Sequence, residues 1–414
     1  EESGGDGGMK WEKVKLGELY EVHNGLSKAG KFFGEGYPFL TFSTVFNNYF
    51  IPKQITDLVQ STEKEQESYS IRRGDVFVTR TSETSDELGM SCVALKDYPM
   101  ATYNGFTKRM RPITNRVFPE YIGYYMRLPS FRGEFRAFST MTTRASLRNE
   151  DLLGLEVKLP SIEIQKQIAD ILSAYDDLIE NNQKQIKLLE EAAQRFYKEW
   201  FVDLRFPGHE NTKIVDGVPE GWRVASIADI CDTVGGGTPS TKIQSYYEKG
   251  DILWVTPTDI TRNFSLALLD TEKKITPEGL KNSSAKMLPA ETILMTSRAS
   301  VGFFGMCKYE VCTNQGFISC IPKRENLQMY LLFNLKSRVE EIRQKAGGST
   351  YLEISKTVFR ELKIILPKDE VLAEYQKNVH DIFDEIYCRT EMIKSLVDMR
   401  NRLLPKLMSG EVEV

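Results

Sequence analysis

"LPSIEIQKQIADIL" (159–172) and "LPKDEVLAEYQKNVHDIF" (366–383) decide how this chain is built. Each opens on a Leu-Pro pair, and the proline ring biases the residue before it away from helix, ending the preceding element. Each then brings apolar residues at helical spacing. Among the nine pairs of "IQKQIADIL" (164–172) and "YQKNVHDIF" (375–383), Gln165/Gln376, Lys166/Lys377 and Asp170/Asp381 are identical. The apolar positions agree better than the identities do, at an offset of 211 residues.

That offset recurs far upstream. Trp11 returns as Trp222, Leu16 and Leu19 as Ile227 and Ile230, and Gly25 as Gly236. It drifts to 215 between Thr41 and Thr256 and to 218 between Arg80 and Arg298. It closes to 211 again for "NGF" (104–106) against "NQGF" (314–317), which sets Gly105 opposite Gly316. Insertions in surface loops between preserved core elements produce such a drift. The chain is therefore written twice, with boundaries at 9–159 (globular), 160–205 (long helix), 213–366 (globular) and 367–410 (long helix).

The helices follow a heptad. Positions 164, 168, 171, 175, 178, 182, 185, 189, 192 and 196, and the same positions plus 211, are apolar in eight cases of ten in each helix. The seam is carried by Ile164, Ile168, Ile171, Tyr175 and Leu189 in the first helix. In the second it is carried by Val379, Ile382, Ile386, Ile393, Leu396 and Leu403. Steps of four and three are those of a coiled coil. About 37 residues at ~1.5 Å each reach ~55 Å, too far for one ordinary domain to cover, so the two helices are expected to pack on each other, antiparallel. The expected fold is α+β: two mixed α/β globular domains held apart by two long antiparallel coiled-coil helices, with a pseudo-two-fold internal repeat.

Composition sets limits. A chain of 414 residues with 41% apolar content supports two or three cores. Nothing approaches the ~20 apolar residues of a membrane span. The opening "EESGGDGGMK" lacks the basic and apolar regions of a signal peptide, so Glu1–Gly8 read as a linker ahead of Met9. With six cysteines and no export signal, reduced thiols in a cytoplasm are expected. Cys307, Cys312 and Cys320 lie close in sequence, but C-x4-C-x7-C with only three histidines in the chain does not make a zinc site. No metal is expected.

The formal charge of −4 hides an alternation. Residues 9–159 carry 21 Lys+Arg against 18 Asp+Glu, and 213–366 carry 20 against 17. The helices reverse this: 6 against 9 over 163–205 and 7 against 10 over 368–414. Within 101–148 stand nine basic residues (Lys108, Arg109, Arg111, Arg116, Arg127, Arg132, Arg136, Arg144, Arg148) and two acids. Arginine's planar fork suits phosphates and guanine edges. Two strands, "GDVFVTR" (74–80) and "ETILMTSR" (291–298), end in hydroxyl-rich loops holding an arginine, "TRTSETSDELGM" (79–90) and "TSRASVGFFGM" (296–306). The residues expected near DNA are Arg80, Thr81, Ser82, Lys108, Arg109, Arg111 and Arg144 in the first half, and Thr296, Ser297 and Arg298 in the second. "GGGTPSTK" (235–242) lacks the Gly-Lys-Ser/Thr ending of a phosphate-binding loop. No methyltransferase Asn-Pro-Pro-aromatic signature, dinucleotide fingerprint or His-Glu-x-x-His motif is present, so no catalytic residue and no cofactor in this chain are expected.

In this order, duplicated, with heptad helices between them, "GGGTPS", "TSRASVG" (296–302), "NQGF", "LPSIEIQKQIADIL" and "RNRLLPKLMSGEV" (400–412) resemble the specificity (S) subunit of type I restriction-modification systems. The resemblance spans residues 9–410; in the first half "HNGLSKAG" replaces the Gly-Gly-Thr-Pro form and the loop after residue 79 is longer. It implies that the globular halves are target-recognition domains, each reading part of an asymmetric, bipartite double-stranded DNA site. It implies as partners two methyltransferase (modification) subunits, carrying S-adenosylmethionine, and restriction subunits that translocate with ATP. The acidic helices are expected to face the methyltransferase subunits. The rival readings are a duplicated coiled-coil scaffold that binds protein partners without DNA specificity, and a self-contained enzyme with cryptic motifs.

Overall fold

The computed structural model describes residues 11–82, 87–136, 145–348 and 351–414. They fall into two compact units, Glu1–Asp177 with Val397–Val414, and Leu178–Leu396. Each unit holds one globular half, the root of one long helix and the tail of the other.

The two halves repeat one strand plan. In the first, a four-stranded sheet runs in the order Tyr20–Asn24, Thr107–Pro112, Val76–Thr79, Ser91–Val93. In the second the order is Cys231–Val234, Phe317–Pro322, Ile293–Thr296, Phe304–Gly305, antiparallel throughout as in the first. A three-stranded sheet accompanies each: Leu58–Val59, Phe33–Leu40 and Thr102–Tyr103, matched by Lys274–Ile275, Ile252–Val255 and Cys312–Thr313. The strand leading into each long helix, Glu156–Leu159 or Lys363–Leu366, pairs with the first strand of its half, Glu12–Lys15 or Arg223–Ser226. The Leu-Pro pair thus ends a strand, as its chemistry requires. The strand expectations at 74–80 and 291–298 fall on Val76–Thr79 and Ile293–Thr296. After the sheet each half adds two short helices, Pro119–Tyr125 and Pro129–Arg136 in the first and Gln328–Ser337 and Val339–Gln344 in the second.

The first long helix is Ile162–Tyr197, and the second is Asp369–Ser409, which continues through Pro405. Among the described residues no helix is long and apolar enough to cross a membrane. In the first unit, Ile168, Ala169 and Leu172 share a core with Leu404, Leu407 and Met408 and with Val14, Leu16 and Leu19 of the sheet domain. In the second, Phe196, Tyr197, Trp200 and Phe201 surround Tyr375, with centroids 4.8–6.4 Å apart. Leu407 and Phe196 stand 211 residues apart, so each half accepts the same segment of the other half's helix. Within each unit the helices run antiparallel: Asp176 meets Arg400 in the first, and Asn182 meets Arg389 while Phe196 meets Tyr375 in the second.

The seam residues Ile164, Ile168, Ile171, Tyr175, Leu189, Val379, Ile382, Ile386, Ile393, Leu396 and Leu403 are all buried or half-buried. The frame itself is displaced at alternate positions. Leu172, Ile186 and Ala193 are buried, whereas Leu178, in the expected frame, is 49% exposed. The true repeat runs 165, 168, 172, 175, 179, 182, 186, 189, 193, 196, 200. Its first member is a glutamine, which apolar pattern matching passes over.

That glutamine fastens each helix root to its half. Gln165, 1% exposed, accepts from Phe118 N at 2.8 Å and donates to Arg116 O and Pro160 O, both at 3.0 Å. Gln376 accepts from Met329 N at 2.9 Å, again 211 residues on. Replacing Gln165 with alanine strands one buried N–H and two carbonyls. An expected loss of about 2–4 kcal/mol, read from urea denaturation, follows without loss of the fold.

Candidate nucleic-acid interface

Both four-stranded sheets end in the same asparagine-anchored turn, and the hydrogen bonds that fix it recur in both halves. Asn104 Oδ1 accepts from Phe106 N at 2.7 Å, and Asn314 Oδ1 accepts from Gly316 N at 2.8 Å. Asn104 N donates to Leu40 O at 2.9 Å and Asn314 N to Val255 O at 3.0 Å. Arg80 N donates to Phe106 O at 3.0 Å, and Ser297 N to Gly316 O at 2.8 Å. Beside it, the hydroxyl of Thr79 accepts from Met90 N and that of Thr296 from Phe303 N, both at 2.9 Å. Gly25 and Gly236 lie directly against the turns: a Cβ would stand 2.0 Å from Asn104 O and 2.1 Å from Thr313 O. Only glycine permits that approach.

These bonds correct two pairings drawn from the sequence. Arg80 corresponds to Ser297, not to Arg298, and the counterpart of Arg298 is Thr81. The counterpart of Gly316 is Phe106, and Gly105 corresponds to Gln315. The strands carry this register throughout, with Thr79 opposite Thr107 and Thr296 opposite Phe317.

In the second half the turn borders an open cleft of about 390 Å³, lined by Thr258, Thr261, Arg298, Ser300, Asn314, Gln315 and Tyr351 among others. The Arg298 side chain is 47% exposed, 3.7 Å from Glu353 and 5.9 Å from the centroid of Tyr351. Thr296 and Ser297 are buried, and the Thr296 hydroxyl is spent on the backbone of its own loop. They shape the loop and do not face solvent. At the corresponding sequence positions the first half has Ser43, Phe46 and Thr81, and its Arg80 is half-buried. Thr81 and Ser82 form a short strand with Ala145 and Ser146. Arg144 lies outside the described residues.

The basic stretch of the first half is not a free surface. Arg109 is 3% exposed, donating to Ser70 O at 2.7 Å beneath the Tyr103 ring. Arg111 binds Asp75, which is fully buried, at 2.6 and 2.8 Å. Lys108, 5% exposed, donates to Asn149 Oδ1. Burial lowers the pKa of Lys108, with Arg80 adding to the effect, and burial lowers that of Arg109. The hydrogen bond to Asp75 raises that of Arg111. Arg127 donates to four backbone carbonyls, Arg132 to that of Leu88, Arg116 to Glu12 and Arg148 to Asp151. Seven of the nine basic residues thus serve this fold's own interior and rim. The expectation that Lys108, Arg109 and Arg111 meet DNA is set aside on that ground.

One cluster was not anticipated. His380 places Nε2 3.1 Å from Glu291 and Nδ1 3.3 Å from Asp384, and Lys308 also binds Asp384. The carboxylates stand on opposite ring nitrogens and a lysine already shares one, which suits an ion-pair staple between helix and sheet domain.

A family model described as the type I restriction modification DNA specificity domain matches twice, over residues 9–191 and 219–397. The chain belongs to the specificity (S) subunits of type I restriction-modification systems. Among specificity subunits it is 24% identical to the HindI subunit of Haemophilus influenzae, over 97% of this chain and 99% of that one. It is 38% identical to the MjaIX subunit of Methanocaldococcus jannaschii over 41% of this chain and 39% of the relative. The crystal structure of the specificity subunit from M. genitalium shares the fold, with a TM-score of 0.57, 15% identity and 97% coverage of both chains. As an S subunit, the chain recognises DNA and positions its partner subunits.

Proposed function

We propose that the two globular halves read two unlike half-sites separated by unread base pairs, so that the target is bipartite and asymmetric. The observation that carries this reading is the repeat itself. The two halves share strand order and turn, while the side chains around the turn differ: Thr81, Gly105 and Phe106 against Arg298, Gln315 and Gly316. Two copies of one frame with different edges select different bases.

The chain carries no chemistry of its own in this account. Adenine methylation belongs to two methyltransferase subunits carrying S-adenosylmethionine, and cleavage to ATP-driven restriction subunits. The long helices space the halves and dock the methyltransferases. Mapping methylated adenines in DNA treated with the chain and its methyltransferase partner tests the whole reading. The expected result is one motif with two different specified blocks and a fixed gap; a continuous or palindromic motif contradicts it.

Arg298 is the base- or phosphate-contacting cation of the second half. Arg298→Ala is expected to weaken binding of the assembled complex about ten-fold, within the ~1–3 kcal/mol of such contacts. Binding titrations over a salt series separate the roles. A phosphate contact flattens the salt dependence, and a base contact relaxes one position of the second block.

A further inference from the structure

We propose that the asparagine-anchored turn is the base-reading finger of each half, Phe106 meeting a thymine methyl in one half-site and the Gln315 carboxamide meeting a purine edge in the other. This rests on the two-half-site reading above and goes beyond it by naming the reading atoms.

Rigidity is the first argument. Both backbone groups of Phe106 are engaged, N–H on Asn104 Oδ1 and C=O on Arg80 N, and the same holds for Gly316 with Asn314 and Ser297. The glycine of the neighbouring segment packs against each turn from one side. The backbone that carries Phe106, and the Asn314 and Gly316 that flank Gln315, are fixed before DNA arrives, so binding loses little backbone entropy there.

Exposure is the second. Phe106 is 60% exposed, while Phe77 and Phe39 in the same half are buried. Gln315 is exposed, and its Oε1 accepts from the Thr238 hydroxyl at 2.6 Å. That bond orients the carboxamide and leaves Nε2 and one Oε1 lone pair for a partner, the donor–acceptor pair that matches adenine N7 and N6 in a major groove.

Contrast is the third. Where the second half carries a polar tip in a cleft lined by Thr258, Thr261 and Arg298, the first carries a benzyl group, and its corresponding sequence positions hold Ser43, Phe46 and Thr81. An aromatic ring has no hydrogen bond to offer a base edge. What it recognises in a major groove is the thymine 5-methyl group.

The test uses the chain assembled with its methyltransferase partner. The preferred duplex is first selected from a randomised pool, and each thymine is then replaced by uracil, which deletes only the methyl. At one thymine of the first half-site affinity is expected to fall about four-fold, the worth of one methyl-sized apolar contact. In Phe106→Ala that sensitivity disappears, and in Phe106→Leu it persists in part. Gln315→Ala relaxes one purine of the second half-site and leaves the first half-site unchanged. Thermal melting of each variant confirms that it is folded. A selected site whose thymine and purine preferences survive both substitutions overturns the finger assignment alone, and a complex that selects no sequence overturns it together with the two-half-site reading.

Discussion

Asp75→Ala should cost the first unit about 3–5 kcal/mol, the loss expected when one partner of a buried ion pair is removed. Asp75 is fully buried and accepts from Arg111 through both oxygens and from Arg72 N at 2.7 Å. Its loss leaves the Arg111 guanidinium, with Arg109 beside it, as unbalanced charge on the central strand of a sheet. For a unit of this size the melting temperature should drop by roughly 10 °C. Asp75→Asn keeps the shape and removes the charge, so it should recover only part of the loss. Calorimetry of the two variants beside Arg111→Ala decides the matter. If Arg111→Ala melts like the parent but binds DNA less well, the interior role assigned to this pair is wrong.

Inserting one heptad into each long helix, after Asp177 and after Leu396, should move the target instead of abolishing it. These points lie on the borders of the two compact units, so every contact within a unit survives. Seven residues keep the seam within ~20° of its facing direction and add about 10 Å along the axis. The bases specified in each block should stay as they were. The gap between them should widen by up to about three base pairs, at ~3.4 Å each. The parental site should be lost by a factor on the order of 10³, the gap between specific and non-specific binding. Methylation mapping reads both outcomes at once. An unchanged gap with full activity, or altered blocks, would falsify the claim that the helices set the spacing.

The repeat, the two long helices and the strand-to-helix junctions were legible in the sequence because they rest on periodicity and on proline. The heptad frame was legible only at every second position. Gln165 is a buried polar member of the seam, and a search for apolar residues slides past it to Ile164; farther along, the same search takes the exposed Leu178 in place of Ile179. The residues proposed to face DNA were harder. Lys108, Arg109 and Arg111 lie in "TKRMRP" (107–112), which reads as a basic patch. The strand that matches it in the second half, "FISCIP" (317–322), is apolar and central. Aligned in the register of the ladder, Lys108 falls opposite Ile318 and Arg109 opposite Ser319, which marks a core strand. The four extra residues between Thr79 and Gly89, compared with Thr296 and Gly302, hid that register. Gln315 gave no signal of its own. An uncharged residue in a turn is noticed only once its neighbours are placed.

The shared core of helix root and helix tail has a consequence for how the chain is made. Leu404, Leu407 and Met408 complete the packing around Val14, Leu16 and Leu19, so the first unit cannot close until the ribosome has passed residue 408. The second unit is continuous from Leu178 to Leu396 and can close earlier. The N-terminal half, translated first, is then the last to finish folding, and until that moment its unfinished face is where chaperones would bind the nascent protein.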